Sequence, residues 1–165
     1  MGGPLLIRPA VDADRPALLS LHRSLYQAHR DAVVPAQVRE LIAYRDYEEV
    51  VANDLDSLLR TRSCHVLVGE IDDALVGYIT ARTEVEPQRV LSRRATLEDW
   101  YVEPSHRMSG VGAALLQALE SKLESLGCDV LESGTWSTNE GGRRAHDAFG
   151  FLETRVSYRK RLRRE

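Results

Sequence analysis

Cysteine is scarce in this chain of 165 residues: Cys64 and Cys128 form no C-x-x-C pair. No disulfide framework is suggested, and the usage fits a reducing compartment. Apolar runs are short, none approaching the roughly 20 residues needed to cross a bilayer. The opening Met1-Gly2-Gly3-Pro4-Leu5-Leu6 lacks the basic and apolar regions of a secretory signal. Leu6 also stands where a myristoylation signal wants Ser or Thr. A cytoplasmic chain with no membrane partner is expected. The formal net charge is only -3, which gives no expectation of nucleic-acid binding. Repeats, linkers and low-complexity tracts are absent, so a single domain over residues 1–165 is expected. The five histidines (His22, His29, His65, His106 and His146) are scattered without tight ligand spacing, and no metal is expected.

Present instead is a globular balance of 43% hydrophobic and 28% charged residues. The charge is unevenly spread. The last eleven residues carry a net +5, which leaves -8 on the body. Residues 5–8 suit a first strand. Asp12 or Asp14 can cap a helix with Pro16 in its first turn, and Leu18, Leu21, Leu25 and Ala28 mark its buried stripe. Pro35 interrupts, and helical character resumes over 36–61. Residues 64–70 and 75–81 form a predicted hairpin around Asp72-Asp73, followed by a loop from 84 to 94 and a strand from 96 to 102.

An amphipathic helix follows Gly110, carrying Val111, Leu115, Leu119, Leu123 and Leu126 on one side and ending at Gly127. A strand at 128–133, a helix from about 140 to 149 and a last strand from about 151 to 161 complete the order. The predicted class is α/β (α+β): a mixed, largely antiparallel central sheet flanked by helices.

The richest segment runs from Leu97 through Trp100, Val102 and Pro104 to Arg107-Met108-Ser109-Gly110-Val111-Gly112-Ala113. A strand ends, the chain turns, and a helix starts among closely spaced glycines. Unpaired backbone N–H groups and the positive end of the helix dipole collect there. Gly110 and Gly112 remove side chains that would hold a phosphate away, so an anion site is expected, most plausibly for a pyrophosphate. A P-loop is absent, and Leu115 breaks the dinucleotide fingerprint. A bare glycine-containing helix start without a ligand is the competing reading.

Arg107-Met-Ser-Gly110-Val-Gly112 resembles the R/Q-x-x-G-x-G/A signature of the GCN5-related (GNAT) N-acetyltransferases. Met108 stands where many members have glycine. Asn139 through Phe151 resembles the later motif N-x-x-A-x-x-x-Y-x-x-x-G-F, with Asn139, Gly150 and Phe151 in register. The resemblance implies acetyl-coenzyme A as co-substrate, with Arg107 to Ala113 on its pyrophosphate. Trp100, Tyr101 and Val102 would border the pantetheine arm, an N–H near Val102 polarising the thioester carbonyl, and Asn139 would bond the arm. A general base and an acid for the departing thiolate are also implied.

His146 occupies the usual tyrosine position and serves either as that acid or as a packed helix-face residue. Tyr158 is the fallback acid, or a strand residue packing on the core. Glu98 is the first choice of base and Asp99 the second, an exposed charged pair being the alternative. Strand neighbours face opposite sides, so one of the two addresses a given site. Cys64 and Cys128, in predicted strands, read as small buried thiols rather than nucleophiles.

The Leu-Glu-Asp-x-Tyr-Val pattern is similar to that of polyamine acetyltransferases, and Phe151 to Leu162 is similar to the ending of aminoglycoside acetyltransferases. The acidic run Asp46, Glu48, Glu49, Asp54 and Asp56 is either a wall for a cationic amine or a solvated helix face. The expected function is N-acetylation of a small cationic amine by direct transfer. A peptide or protein acetyltransferase and a non-catalytic acyl-coenzyme A sensor are the alternatives. Family members often dimerise, and a homodimer is expected on that resemblance.

Overall fold

In a computed structural model, residues 3–162 are described. Met1, Gly2 and the Arg163-Arg164-Glu165 end of the basic segment lie outside them. Five strands, β1 (Leu6–Pro9), β2 (Cys64–Ile71), β3 (Ala74–Val85), β4 (Arg93–Val102) and β5 (Val130–Ser133), form one sheet in that order. The first four are antiparallel neighbours, and β5 joins β4 in parallel. The helices are α1 (Arg15–Ala28), α2 (Ala36–Ile42), α3 (Tyr47–Arg60), α4 (Val111–Ser125) and α5 (Glu140–Ala148). The mixed, largely antiparallel class read from the sequence is the observed one.

Each face of the sheet carries its own core. On one, Leu67, Ile79, Ala81, Ala95 and Leu97 pack against Val111, Leu115, Leu119 and Leu123 of α4. On the other, Val68, Tyr78 and Tyr101 pack against Leu18, Leu21 and Leu25 of α1 and Leu55 of α3. Each fully buried leucine contributes on the order of 2 kcal/mol. The β2–β3 turn is Asp72-Asp73, with φ of 51° and 61°. Two left-handed residues in succession are what a two-residue hairpin loop needs, and aspartate tolerates them. Gly127 and Gly150, also left-handed, close α4 and α5. Cys128 N–H reaches back to Leu123 O and Phe151 N–H to His146 O, satisfying the last helical carbonyls.

Several boundaries differ from the sequence reading. Residues 36–61 are two helices, because Ala43 is extended and a new helix starts after Asp46, with Glu48 and Glu49 favoured in its first turn. The predicted loop 84–94 shrinks, since β3 and β4 continue pairing to Val85 opposite Arg93. Asp14 makes no cap bond to α1; its carboxylate accepts from Val11 N–H at 2.8 Å and from Arg8 at 2.7 Å. Leu126 leaves the buried stripe as an exposed helix end. β5 starts at Val130, so Cys128 lies outside it.

The largest correction is the last strand. Residues 151–162 form none among the described residues, and Leu152, Val156, Tyr158 and Leu162 are exposed. A strand exists only with a ladder partner, and within one chain this segment has none.

Gly77 on β3 has no room for a side chain beside β4: a Cβ there would sit 2.7 Å from the Tyr101 carbonyl oxygen, a backbone atom that cannot swing aside. Gly77→Ala is expected to destabilise the fold by about 1–3 kcal/mol. Gly134→Ala, whose Cβ meets nothing within 4 Å, should change stability by less than about 0.5 kcal/mol. Urea unfolding of both variants checks this.

Candidate functional site

Strand β4 changes its alternation midway. Thr80 pairs with Asp99 and Ala81 with Leu97, so Glu98 is an extra, unpaired residue. Before this bulge Ala95 and Leu97 face α4; after it Trp100 and Val102 face α4, while Asp99 and Tyr101 face α1. Pairing with β5 also stops here, at Leu97 opposite Ser133. Beyond that point β4 has an open edge among the described residues. The N–H groups of Asp99 and Glu103 turn toward β3, to Thr80 Oγ1 and Val76 O. The period of two therefore turns the backbone N–H groups of Trp100 and Val102 toward the open edge. Val102 O already accepts from Arg107 Nε at 3.1 Å.

The loop after β4 passes through a 3-10 turn (Pro104–His106) and enters α4 by way of two left-handed residues, Met108 (φ 62°) and Gly110 (φ 88°). Met108 is fully exposed and adopts a conformation that costs a side-chain-bearing residue on the order of 1 kcal/mol. That cost explains why glycine suits the position. No side chain caps α4, so its first N–H groups are open to an anion. Arg107 lies over the Tyr101 ring at 5.9 Å.

His146 reaches the same gap from α5. Its Nδ1–H donates to Gly142 O at 2.6 Å, and Nε2 lies 2.7 Å from Ser133 Oγ. With Nδ1 carrying hydrogen, the neutral ring accepts from the serine hydroxyl. The ring meets Trp100 and Phe151 edge-on at centroid distances of 6.2 and 5.0 Å. Asn139 is occupied as the cap of α5: Oδ1 accepts from Gly142 N–H at 3.0 Å, and Nδ2 donates to Thr135 Oγ1 at 2.9 Å. Tyr158 is not brought to this cluster. It is 89% exposed in the unpaired final segment, without the core packing expected of it.

The two candidate bases occupy opposite environments. Glu98 is partly exposed and ion-paired with Arg82 at 2.9 Å. Asp99 is only 8% exposed and meets Thr80 Oγ1 at 3.4 Å. Burial, partly offset by His22, raises its carboxyl to about 6. The two carboxylates, adjacent in sequence, thus differ in burial and in partners.

Beside Asp99 lies a network that sequence reasoning missed. His22 is fully buried, with Nδ1 2.6 Å from Tyr78 Oη and Nε2 3.0 Å from Asp54 Oδ2. Tyr26 Oη donates to the same Asp54 oxygen at 2.9 Å. Ligating atoms of His22, Asp54 and Asp99 come within 4.8 Å of one another. The ring nitrogens address the two carboxylates separately, which makes the arrangement a hydrogen-bonded chain. A signal was available: His22 lies at helical spacing among Leu18, Leu21 and Leu25, a polar residue on a buried stripe.

The acidic run is largely engaged as well, since Glu48 pairs with Arg23 and Asp56 with Arg15. Cys64 and Cys128 are half-buried, and burial pushes both thiols up, which disfavours the nucleophilic thiolate.

The family model described as Acetyltransferase (GNAT) family matches residues 21–151. An aminoglycoside N(6')-acetyltransferase type 1 from Stenotrophomonas maltophilia is 33% identical over 137 residues, covering 78% of this chain and 85% of the relative. One from Klebsiella aerogenes is 48% identical over 59 residues, 36% of this chain and 39% of the relative's length. Among solved structures, the aminoglycoside N-acetyltransferase AAC(6')-Iy in complex with CoA superposes with a TM-score of 0.75 at 23% identity, covering 98% of each chain.

The raised Asp99 carboxyl has a consequence for stability. Its folded value lies above the ordinary carboxylate value, so its contribution is fully present below about pH 4 and is lost as pH rises through 6. Asp99→Asn is expected to remove this dependence and to raise stability at pH 8 by about 2 kcal/mol. Urea unfolding of both proteins at pH 4.5 and pH 8 measures it.

Proposed function

The chain belongs to the acetyltransferase (GNAT) family and is an acetyl-coenzyme A-dependent N-acetyltransferase, and we propose that its acceptor is the 6'-amine of an aminoglycoside-like molecule. The observation that carries this reading is the open β4 edge ending in an uncapped helix start, beside a buried carboxylate. The relatives named for aminoglycoside N(6')-acetylation support the choice of amine.

In the proposed reaction, the pyrophosphate rests on the first N–H groups of α4, from Ser109 to Ala113, with Arg107 and Met108 shaping the approach. The pantetheine arm lies along Trp100, Tyr101 and Val102, and the N–H of Trp100 or Val102 polarises the thioester carbonyl. Asn139 holds the α5 end of this gap. Asp99 takes a proton from the acceptor ammonium through water, and the amine attacks the carbonyl. The C–S bond breaks, and the thiolate collects a proton from His146 through the Ser133 hydroxyl. In imidazolium form both ring N–H groups donate, to Gly142 O and Ser133 Oγ, which frees the serine hydrogen for the thiolate. The amine loses one proton to Asp99 before attack and a second to water as the amide forms, and His146 regains its proton from water, so the net products are the amide, the coenzyme A thiol and one proton in solution.

We further propose a single cytoplasmic acetyltransferase domain acting as a homodimer. The free thiols fit that compartment. In the final segment Leu152, Val156, Tyr158 and Leu162 stand exposed at even-numbered positions, a strand pattern suited to pairing with a second copy. A chain ending at Phe151 should sediment as a monomer and the full chain at twice its mass; equal states for both would overturn the dimer.

Two measurements test the enzyme reading. Release of coenzyme A thiol should be seen with neomycin and fall at least about 100-fold with paromomycin, which carries a hydroxyl at the 6' position. Turnover on peptides alone would overturn the acceptor. At Gly112 an added Cβ would meet Trp100 Nε1 at 3.5 Å and Val102 at 3.6 Å, ordinary contacts, so Gly112→Glu should fold. Its carboxylate against the pyrophosphate should abolish acetyl-coenzyme A binding by calorimetry, and normal binding would refute the loop assignment.

A further inference from the structure

The acids of α3 are not alike. Glu48 pairs with Arg23 at 2.8 Å and Asp56 with Arg15 at 2.7 Å. Asp54 pairs with no lysine or arginine among the described residues. Arg82 acts on it as an opposite charge, yet that guanidinium already donates to Glu98 at 2.9 and 3.4 Å. Asp54 is held from within instead. Its Oδ2 accepts from Nε2–H of the enclosed His22 at 3.0 Å and from Tyr26 Oη at 2.9 Å. Oδ1 accepts no hydrogen bond among the described residues, and the side chain it belongs to is 42% exposed. The bond from His22, then that from Tyr26, outweigh burial and hold the carboxyl below the ordinary carboxylate range. Asp54 is therefore a fixed anion with one oxygen engaged and the other free.

Asp99 bears on the same point from the sheet. Its carboxylate is buried and receives one long hydrogen bond, from Thr80 Oγ1 at 3.4 Å. A bulky acceptor cannot enter so enclosed a position, but a water or a single nitrogen can. Oxygens of Asp54 and Asp99 come within 4.8 Å of each other. A cation bonded to a carboxylate lies about 2.8 Å from its oxygen, so one held on Asp54 stands within a single water of Asp99.

We propose that Asp54 is an acceptor-binding residue whose Oδ1 holds the reacting ammonium one water away from Asp99. This rests on the reading of the acceptor as a cationic amine with Asp99 as its base. One ammonium N–H bonds Oδ1. A second N–H gives its proton through the water to Asp99, and the lone pair so released attacks the thioester carbonyl. Asp54 gains and loses no proton. His22 and Tyr26 keep its outer oxygen in place, and they explain why this acid, alone in the run, carries no arginine: its charge is left for the substrate.

Asp54→Asn tests this, because the amide oxygen can still accept from His22 and Tyr26 while an NH2 group replaces the free oxygen. Asp54 acts on the ammonium before it is deprotonated. The KM for neamine, a small aminoglycoside with a 6'-amine, should therefore rise at least about tenfold, with kcat changed by less than about threefold. The KM for acetyl-coenzyme A should stay as it is. A role exerted only through the buried network would lower kcat and leave the neamine KM unmoved, which would overturn the proposal. Asp56→Asn removes the same charge two residues along the helix and should leave the neamine KM unchanged; an equal rise in both variants would show a general field and would also overturn it. Should Asp54→Asn fail to fold, the contact is read in the wild-type chain by carbon NMR. Adding neamine should shift the carboxyl resonance of Asp54 and not that of Asp56, and a still Asp54 resonance in a chain that acetylates neamine refutes the contact alone. A wild-type chain that neither acetylates nor binds neamine by calorimetry would remove the acceptor reading, and the proposal with it.

Discussion

One unpaired residue in β4, Glu98, sets the geometry on which the rest of the site depends. Without it, strict alternation from Leu97 would send Asp99 into the α4 core and turn Trp100 toward α1. The bulge reverses the parity at the point where β5 stops pairing. The same strand can then bury aliphatic side chains against α4 in its first half and a carboxylate against α1 in its second. A bulge also bends its strand, which fits the divergence from β5 that leaves the edge of residues 98–102 open. A buried acid and an exposed backbone edge, two features that a regular sheet would keep apart, arise together from one inserted residue.

Much of this was legible beforehand, and for physical reasons. The hairpin at Asp72-Asp73 and the terminating glycines of α4 and α5 are local, because each depends on the φ preferences of one or two residues. The glycines before α4 marked an uncapped helix start, and the order of strands and helices followed from periodicity. Register was not legible. Nothing in Leu97-Glu98-Asp99-Trp100 says which residue goes unpaired, since this depends on β3 across the ladder. The difference in burial between Glu98 and Asp99 was therefore hidden until their partners were known. The predicted last strand failed for a related reason: the segment around Tyr158 has the alternation of a strand, but pairing is a property of two segments. His22 and Ser133 were missed because their roles come from residues far apart in sequence, Tyr78 and Asp54 for the one, His146 for the other.

The buried polar chain is costly to build, which argues against treating it as incidental. An unpaired polar group in an apolar core costs on the order of 1–3 kcal/mol, whereas leucine in place of His22 would extend the stripe of α1. Here His22, Tyr78, Tyr26, Thr80 and both carboxylates each have a partner. By contrast the buried hydroxyl of Tyr47 has none among the described residues. A network satisfied at every member is rigid, and it fixes which nitrogen of His22 points at which acid.

Acetyl transfer needs two kinds of environment that interfere if mixed. Phosphate binding and polarisation of a carbonyl call for positive dipole ends and open N–H groups, whereas accepting a proton from an ammonium calls for a carboxylate kept from the charges that would hold it ionised. Placing Asp99 beside the helix start would lower its carboxyl through the dipole and Arg107, and would weaken it as a base. On the proposed reading the sheet itself is the partition: the α4 side and open edge serve the thioester, and the α1 side serves the proton. Arg82 follows the same logic, because its ion pair takes up Glu98, the one carboxylate on β4 left at the surface by the bulge. Asp99 is then the carboxylate of the pair whose proton affinity is set by burial and by His22.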